Sequence, residues 1–224
     1  MASTAAASCS YGEAQHYETK QDKDLETILE WYAEYDVLRP LLHKHLQYSD
    51  SILVLGPGTS ALHEQLYESG YRGITCVDFC SKVLQGWRKR SADAGHTSLK
   101  YQHADIVTGL AFEHYPYNAI IDKGTLDCVL CRETGEQDAQ QALTVIDNNL
   151  KNPGTFVMVS HSPPDVRLPL LKRVAWDSIQ VKVIAPADLG KVAAGEALTM
   201  VREYSAAVQV PDHSVYVYIC KKPY

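Results

Sequence analysis

The chain of 224 residues contains no run of 18 consecutive apolar residues, so no membrane-spanning helix is expected. Basic residues are in the minority, 21 Lys and Arg against 27 Asp and Glu, for a formal charge of −6. A broad nucleic-acid footprint needs clustered Lys and Arg. Arg88-Lys89-Arg90 is the one dense basic cluster, and it reads as the solvated end of a helix. No nucleic-acid or membrane partner is therefore expected. Residues 1–10 are rich in Ala and Ser but lack the basic start and long apolar stretch of a signal peptide, and are expected to form a disordered tail. The six cysteines include Cys128 and Cys131 at CxxC spacing, with no second pair to complete a zinc site. The nine histidines do not gather either. No metal site is expected. The thiols read as reduced and structural, and the protein as cytoplasmic, with a monomer favoured. Internal repeats and linker-like stretches are both lacking, which predicts one domain over residues 11–224.

What the chain does have is a strand, a glycine turn and a helix start at Ser51–Ser60, SILVLGPGTS. Ile52–Leu55 is an unbroken apolar run, as expected for a strand buried on both faces of a parallel sheet. Gly56-Pro57-Gly58 breaks it, and an amphipathic helix follows from Ala61. Such a turn brings bare backbone close to a ligand. About twenty residues on, Ile74–Val77 ends in Asp78, placed to accept hydrogen bonds from both hydroxyls of a ribose. The two features together predict a cofactor that contains adenosine.

Further strands are expected at Leu99–Gln102, Tyr117–Ile121, Thr155–Ser160, Ile179–Ile184 and Val215–Cys220, with helices between most of them. This alternation predicts an α/β fold: a doubly wound, mostly parallel, Rossmann-like sheet of seven strands, closed by an antiparallel C-terminal pair. Whether Met200–Val210 adds a strand or a loop stays open. Ahead of the first strand, helices are expected over Lys23–Tyr35 and from Pro40 to Leu46. Residues 11–48 would form a helical lid.

Ligands of doubly wound sheets lie beyond the carboxyl ends of the strands. Those ends are Gly56–Gly58, Asp78-Phe79, Asp105-Ile106, Asp122-Lys123 and Ser160-His161. Phe79 can cover one face of an adenine. Asp105 can accept from its amino group, and Ile106 offers an apolar contact or its backbone N–H. Gly56-x-Gly58-x-x-Ala61 also satisfies the relaxed dinucleotide fingerprint. A dinucleotide enzyme must seat a second nucleotide half, however, and acidic strand ends are poor neighbours for a pyrophosphate. They suit a cofactor with amine and sulfonium charges, such as S-adenosyl-L-methionine.

The stretch ILVLGPGTSALHEQLYESGYRGITCVDF resembles the cofactor half of class I S-adenosylmethionine-dependent methyltransferases. More narrowly, the chain is similar to a small eukaryotic group related to the lysine methyltransferases of translation elongation factor 1 alpha. Leu-x-Leu-Gly-x-Gly-x-Ser, the Leu66–Tyr71 stretch and the block Asp122-Lys123-Gly124-Thr125-Leu126-Asp127 carry this resemblance. It implies S-adenosyl-L-methionine as cofactor and S-adenosyl-L-homocysteine as product. It implies contacts from Gly56 and Gly58 to the methionine moiety, from Asp78 and Phe79 to ribose and base, and from Asp105 and Ile106 to adenine. Asp122 and Lys123 would sit below the sulfonium as the catalytic candidates, Asp122 orienting an acceptor amine. Tyr17 and Trp31 match the aromatic residues of an N-terminal closing segment. A translation factor-like protein substrate is implied. A small-molecule acceptor, or a non-catalytic protein that binds the cofactor or a partner, stays open beside it.

Overall fold

The computed structural model describes residues 28–109, 116–189, 201–206 and 209–224. Five successive strands set the architecture: β1 (Ser51–Leu55), β2 (Gly73–Asp78), β3 (Lys100–His103), β4 (Tyr117–Lys123) and β5 (Leu150–Ser160). They pair in parallel in the spatial order β3-β2-β1-β4-β5. β1 and β4 lie at the centre, and alternation sends their side chains to two cores. Leu53, Leu55 and Ile120 pack on one face with Leu126, Leu143 and Ile146. Ile52, Val54 and Ile121 pack on the other with Leu38, Leu42 and Leu66. Both faces are covered, so the strands read as continuous apolar runs.

The helices that supply this cover are α1 (Tyr35–His45), α2 (Leu62–Glu68), α3 (Ser81–Asp93), α4 (Thr125–Leu130), α5 (Gly135–Asn149) and α6 (Pro164–Leu171). Beyond β5 the sheet turns antiparallel. β8 (Val215–Lys221) pairs with β5, β6 (Ser178–Ile184) with β8, and β7 (Val201–Glu203) with β6. The expected antiparallel closing pair is thus β6 and β8. The sheet has eight strands where seven were expected, because three residues of the undecided Met200–Val210 stretch add an edge strand. No helix among the described residues is long and apolar enough to cross a membrane.

Two expectations ahead of β1 need correction. The described part of the Lys23–Tyr35 helix, residues 28–34, is not helical. The helix runs instead over Tyr35–His45 with Pro40 inside it rather than at its start. An internal proline removes one backbone hydrogen bond. Burial of Tyr35, Val37, Leu38, Leu41 and Leu42 against the sheet outweighs that loss. The helix that opens at Pro164 ends at Leu171, and Trp176 beyond it stacks on Phe156 with ring centroids 6.0 Å apart. Residues 1–27, including Tyr17 and the expected tail, lie outside the described residues.

Candidate functional site

The chain builds β1, β2 and β3 outward, then returns to β4 on the opposite side of β1, which opens a crevice at the carboxyl ends of β1 and β4. The register places Leu55 beside both Val77 and Asp122, so Gly56, Asp78 and Lys123 emerge at the same edge. Two glycines shape this edge. Gly56 has φ +50°, and a Cβ there would stand 2.4 Å from Thr125 Oγ1, which donates to Leu55 O at 2.8 Å. Gly58 has φ +52°, and a Cβ there would meet only open space out to 3.9 Å, so its backbone faces a cradle. Trp87, buried on α3, donates from Nε1 to Gly58 O at 2.7 Å and holds the loop from below.

A cleft of about 400 Å³ opens beside this loop, lined by Gly56, Asp78, Phe79, Asp105, Ile106 and Thr125, with Cys128 and Arg132 at its side. Its apolar walls with few polar groups suit a nucleoside. Asp78 is 5% exposed; its Oδ1 accepts the Cys80 N–H at 2.8 Å and its Oδ2 the Gly58 N–H at 3.1 Å. Each oxygen retains acceptor capacity for a hydroxyl. Burial pushes its pKa up to about 6, opposed by those two N–H groups. Asp105 accepts from Val107 N and lies 3.7 Å from the Arg132 guanidinium, which stands 6.0 Å from the Phe79 ring centroid. Ile106 is 6% exposed against the apolar wall.

Asp122 ends fully buried. Its Oδ1 caps α4 by accepting from Thr125 N at 2.8 Å and Leu126 N at 3.3 Å, while its Oδ2 has no partner. Burial, and then the Asp127 charge, push its pKa up to about 7. A positive charge brought near this orphaned carboxylate oxygen would favour its ionised form. Lys123 is tied down: its Nζ lies 2.9 Å from Glu30 Oε2 and donates to Trp31 O at 3.0 Å. Its ammonium is thus engaged by Glu30 and by the Trp31 carbonyl.

Residues 28–34, extended rather than helical, lie across the glycine loop. Leu29 N donates to Thr59 O at 3.3 Å. Glu30 Oε2 accepts from Ser60 Oγ and Oε1 from Ala61 N, each at 2.7 Å. The Trp31 ring is 43% exposed and meets Tyr32 edge-on at 6.4 Å. Tyr32 has φ +69°, rare for a bulky side chain, and its ring covers Gly124, where a Cβ would come within 2.9 Å of Cε2.

The sequence reading missed Glu30, Tyr32, Trp87, Asp127, Arg132 and Arg167 as site residues. Asp127 had a signal, as the last residue of the quoted Asp122–Asp127 block. Arg132 and Trp87 had none, because spacing alone does not reveal a side chain that reaches across from a turn or a helix. Tyr17 cannot be placed.

A protein family described as "Methyltransferase domain" matches residues 53–158. The chain is 30% identical over 171 residues to "EEF1A lysine methyltransferase 4" of Bos taurus, covering 71% of this chain and 65% of that protein. It is 33% identical over 150 residues to "eEF1A lysine and N-terminal methyltransferase" of Danio rerio, covering 67% of this chain and 21% of that protein. The chain thus spans less than two thirds of each of these relatives. Among solved structures, N-methyltransferase NodS from Bradyrhizobium japonicum WM9, in complex with S-adenosyl-l-homocysteine, is 15% identical. It superposes with a TM-score of 0.60 over 94% of this chain and 98% of that one. The glycopeptide N-methyltransferase MtfA, complexed with the same compound, gives 0.62 at 12% identity over 87% and 92%. The doubly wound sheet with its antiparallel closure, the glycine loop at the β1–β4 crevice and these matches agree: residues 53–158 carry a methyltransferase domain, on the fold of these solved methyltransferases.

Proposed function

We propose that this protein binds S-adenosyl-L-methionine and transfers its methyl group to a lysine side chain of a protein, a translation factor of the elongation factor 1A kind. One observation supports this cofactor above all: Asp78 and Asp105 line the cleft, Glu30 caps the glycine loop, and Asp122 lies buried at the adjoining end of β4. The nearby cations are already engaged, Lys123 with Glu30 and Arg132 with Asp105 and Asp138. A pyrophosphate would meet net negative charge. Glu30 also accepts from Ala61 N at the start of α2, a position that a dinucleotide phosphate would need. A ligand carrying ammonium and sulfonium charges meets favourable charge in the same place.

The described residues fit such a ligand. Asp78 offers acceptors to ribose hydroxyls, and Phe79, Ile106 and Val129 offer apolar surface to a base. The Gly58 cradle accommodates the amino-acid part, and Asp122, beside Leu55 in the register, keeps one buried oxygen unpaired. When bound, S-adenosyl-L-methionine supplies an electrophilic methyl carbon on sulfur. The protein's share is to bind, to align the acceptor nitrogen and to exclude water. The strap of residues 28–34 supports the last of these. The names of the relatives support the lysine acceptor and the elongation factor. The assay is calorimetry. S-adenosyl-L-methionine and S-adenosyl-L-homocysteine should bind at micromolar levels, roughly −8 kcal/mol, and NAD should not. Tighter binding of NAD would overturn the reading.

A further inference from the structure

At the carboxyl end of β5, one strand over from Asp122, lies a polar cluster that cofactor binding does not use. His161 Nδ1 stands 3.0 Å from Tyr32 Oη and 3.2 Å from Asp127 Oδ2. Asp127 is 4% exposed, and its Oδ1 also accepts from Ser160 Oγ at 2.8 Å and from Arg167 Nη2 at 2.5 Å. Arg167 is buried, and its Nη2 also donates to Ser162 Oγ at 2.7 Å. The carboxylate is thereby fixed in place, and it can only accept. Tyr32 stays protonated, its pKa raised by burial and then by the Asp127 charge. The Asp127 carboxylate, 3.2 Å from His161 Nδ1, therefore presents an acceptor to it. Nδ1 must carry the hydrogen, and the lone pair is left on Nε2. The imidazole is 64% exposed on its own account, so that lone pair is open to an incoming group.

The location matters as much as the tautomer. Lys123 pairs with Val159 across the β4–β5 ladder, so His161 leaves the sheet just past the Asp122-Lys123 end. Tyr32 spans the two, its ring over Gly124 and its hydroxyl on His161, with ring centroids of Tyr32 and His161 5.6 Å apart. A left-handed Tyr32 backbone is the kind of local strain that persists where a side chain must be aimed.

We propose that His161, oriented by Asp127 and flanked by Tyr32, is the general base that takes the proton from the acceptor ammonium. This proposal rests on the lysine-transfer reading above. The step is a proton transfer. The acceptor N–H bond breaks and its electron pair stays on nitrogen, leaving a neutral amine. A new N–H bond forms at His161 Nε2, and the imidazolium is stabilised by Asp127 before it releases the proton to water. The groups facing His161 are Tyr32 from the strap, Asp127 from α4 and, behind Asp127, Arg167 from α6, with Asp122 nearby on β4. A positioned base of this kind is worth about 10²–10⁴-fold in rate.

Two readouts test it in the full-length protein. The first is the ring ¹⁵N spectrum of His161, taken without turnover. An Nδ1–H tautomer is expected, and an Nε2–H tautomer overturns the proposal. The second is kinetic, with unmethylated recombinant elongation factor 1A as acceptor. His161→Gln should lower kcat about 100-fold, with cofactor affinity unchanged, and should alter the acid side of the pH–rate profile relative to the parent. Added imidazole should restore part of the rate to His161→Ala. An unchanged kcat and pH profile in His161→Gln, with the parent active, would overturn the base while leaving the function intact. Should the parent bind cofactor yet transfer nothing to the elongation factor, the acceptor reading fails. The base is then judged by n-butylamine added to the S-adenosyl-L-homocysteine complex: movement of the His161 Nε2 resonance supports it, and no movement overturns it.

Discussion

The stability of Asp122→Asn relative to the parent should rise with pH in the ligand-free protein. The Asp122 carboxyl is fully buried, and its pKa of about 7 lies about three units above its ordinary value of 3.8. At about 1.4 kcal/mol per unit, ionising this group inside the fold costs about 4 kcal/mol. Local relaxation will reduce that to about 2–4 kcal/mol. Because the folded-state pKa is raised, the folded protein holds the proton more tightly than the unfolded chain. The penalty is absent below pH 3.8, grows as pH rises through the interval and is complete above about 7. An asparagine removes the titration. Its amide oxygen can still accept from Thr125 N and Leu126 N, while its amide N–H, taking the place of the unpartnered Oδ2, costs about 1–3 kcal/mol at every pH. The stability gap between variant and parent should therefore widen in the variant's favour by about 2–4 kcal/mol between pH 4 and 8. Urea midpoints at matched m-values measure it. A gap independent of pH would refute the claim that Asp122 is a destabilised, functionally retained carboxylate.

The same group predicts a proton signature of binding. A cationic ligand favours ionised Asp122, so S-adenosyl-L-methionine should release protons near pH 6.5, seen as a binding heat that depends on the buffer's ionisation enthalpy; a buffer-independent heat would count against that contact. Asp78→Ala removes charge-assisted hydrogen bonds worth about 1.5–3 kcal/mol each and should weaken cofactor affinity at least tenfold, with circular dichroism unchanged. Trp87→Phe removes the 2.7 Å bond to Gly58 O and should weaken cofactor binding several-fold without touching the ligand; an unchanged dissociation constant would show that the loop holds its shape unaided. Glu30→Ala frees Lys123 and the start of α2 together, and should speed protease cleavage within residues 28–34 of the ligand-free protein.

The sheet was legible because a strand covered on both faces leaves a one-dimensional mark, an apolar run such as Ile52–Leu55 ended by glycine. The strand-end residues Asp78, Phe79, Asp105 and Ile106 were legible for a related reason: topology brings every such end to one edge, and all four line the cleft. The strap was not. Leu25, Ile28, Leu29 and Tyr32 imitate a helical stripe, yet in residues 28–34 the chain is held extended by bonds from Glu30 and Lys123 that span 31 and 92 positions. Pro40 misled because a proline reads as a helix start, whereas tertiary burial of α1 tolerates it inside. The cluster around His161 was equally hidden: it joins Tyr32, Asp127 and His161, separated by up to 129 positions, and no local spacing announces such a meeting.

The most direct test of the whole account is mass spectrometry of unmethylated recombinant elongation factor 1A after incubation with this protein and S-adenosyl-L-methionine. The account predicts a methyl increment on a lysine side chain, formed in step with S-adenosyl-L-homocysteine and lost in Asp78→Ala. Cofactor binding without any methylated lysine on that acceptor would contradict it.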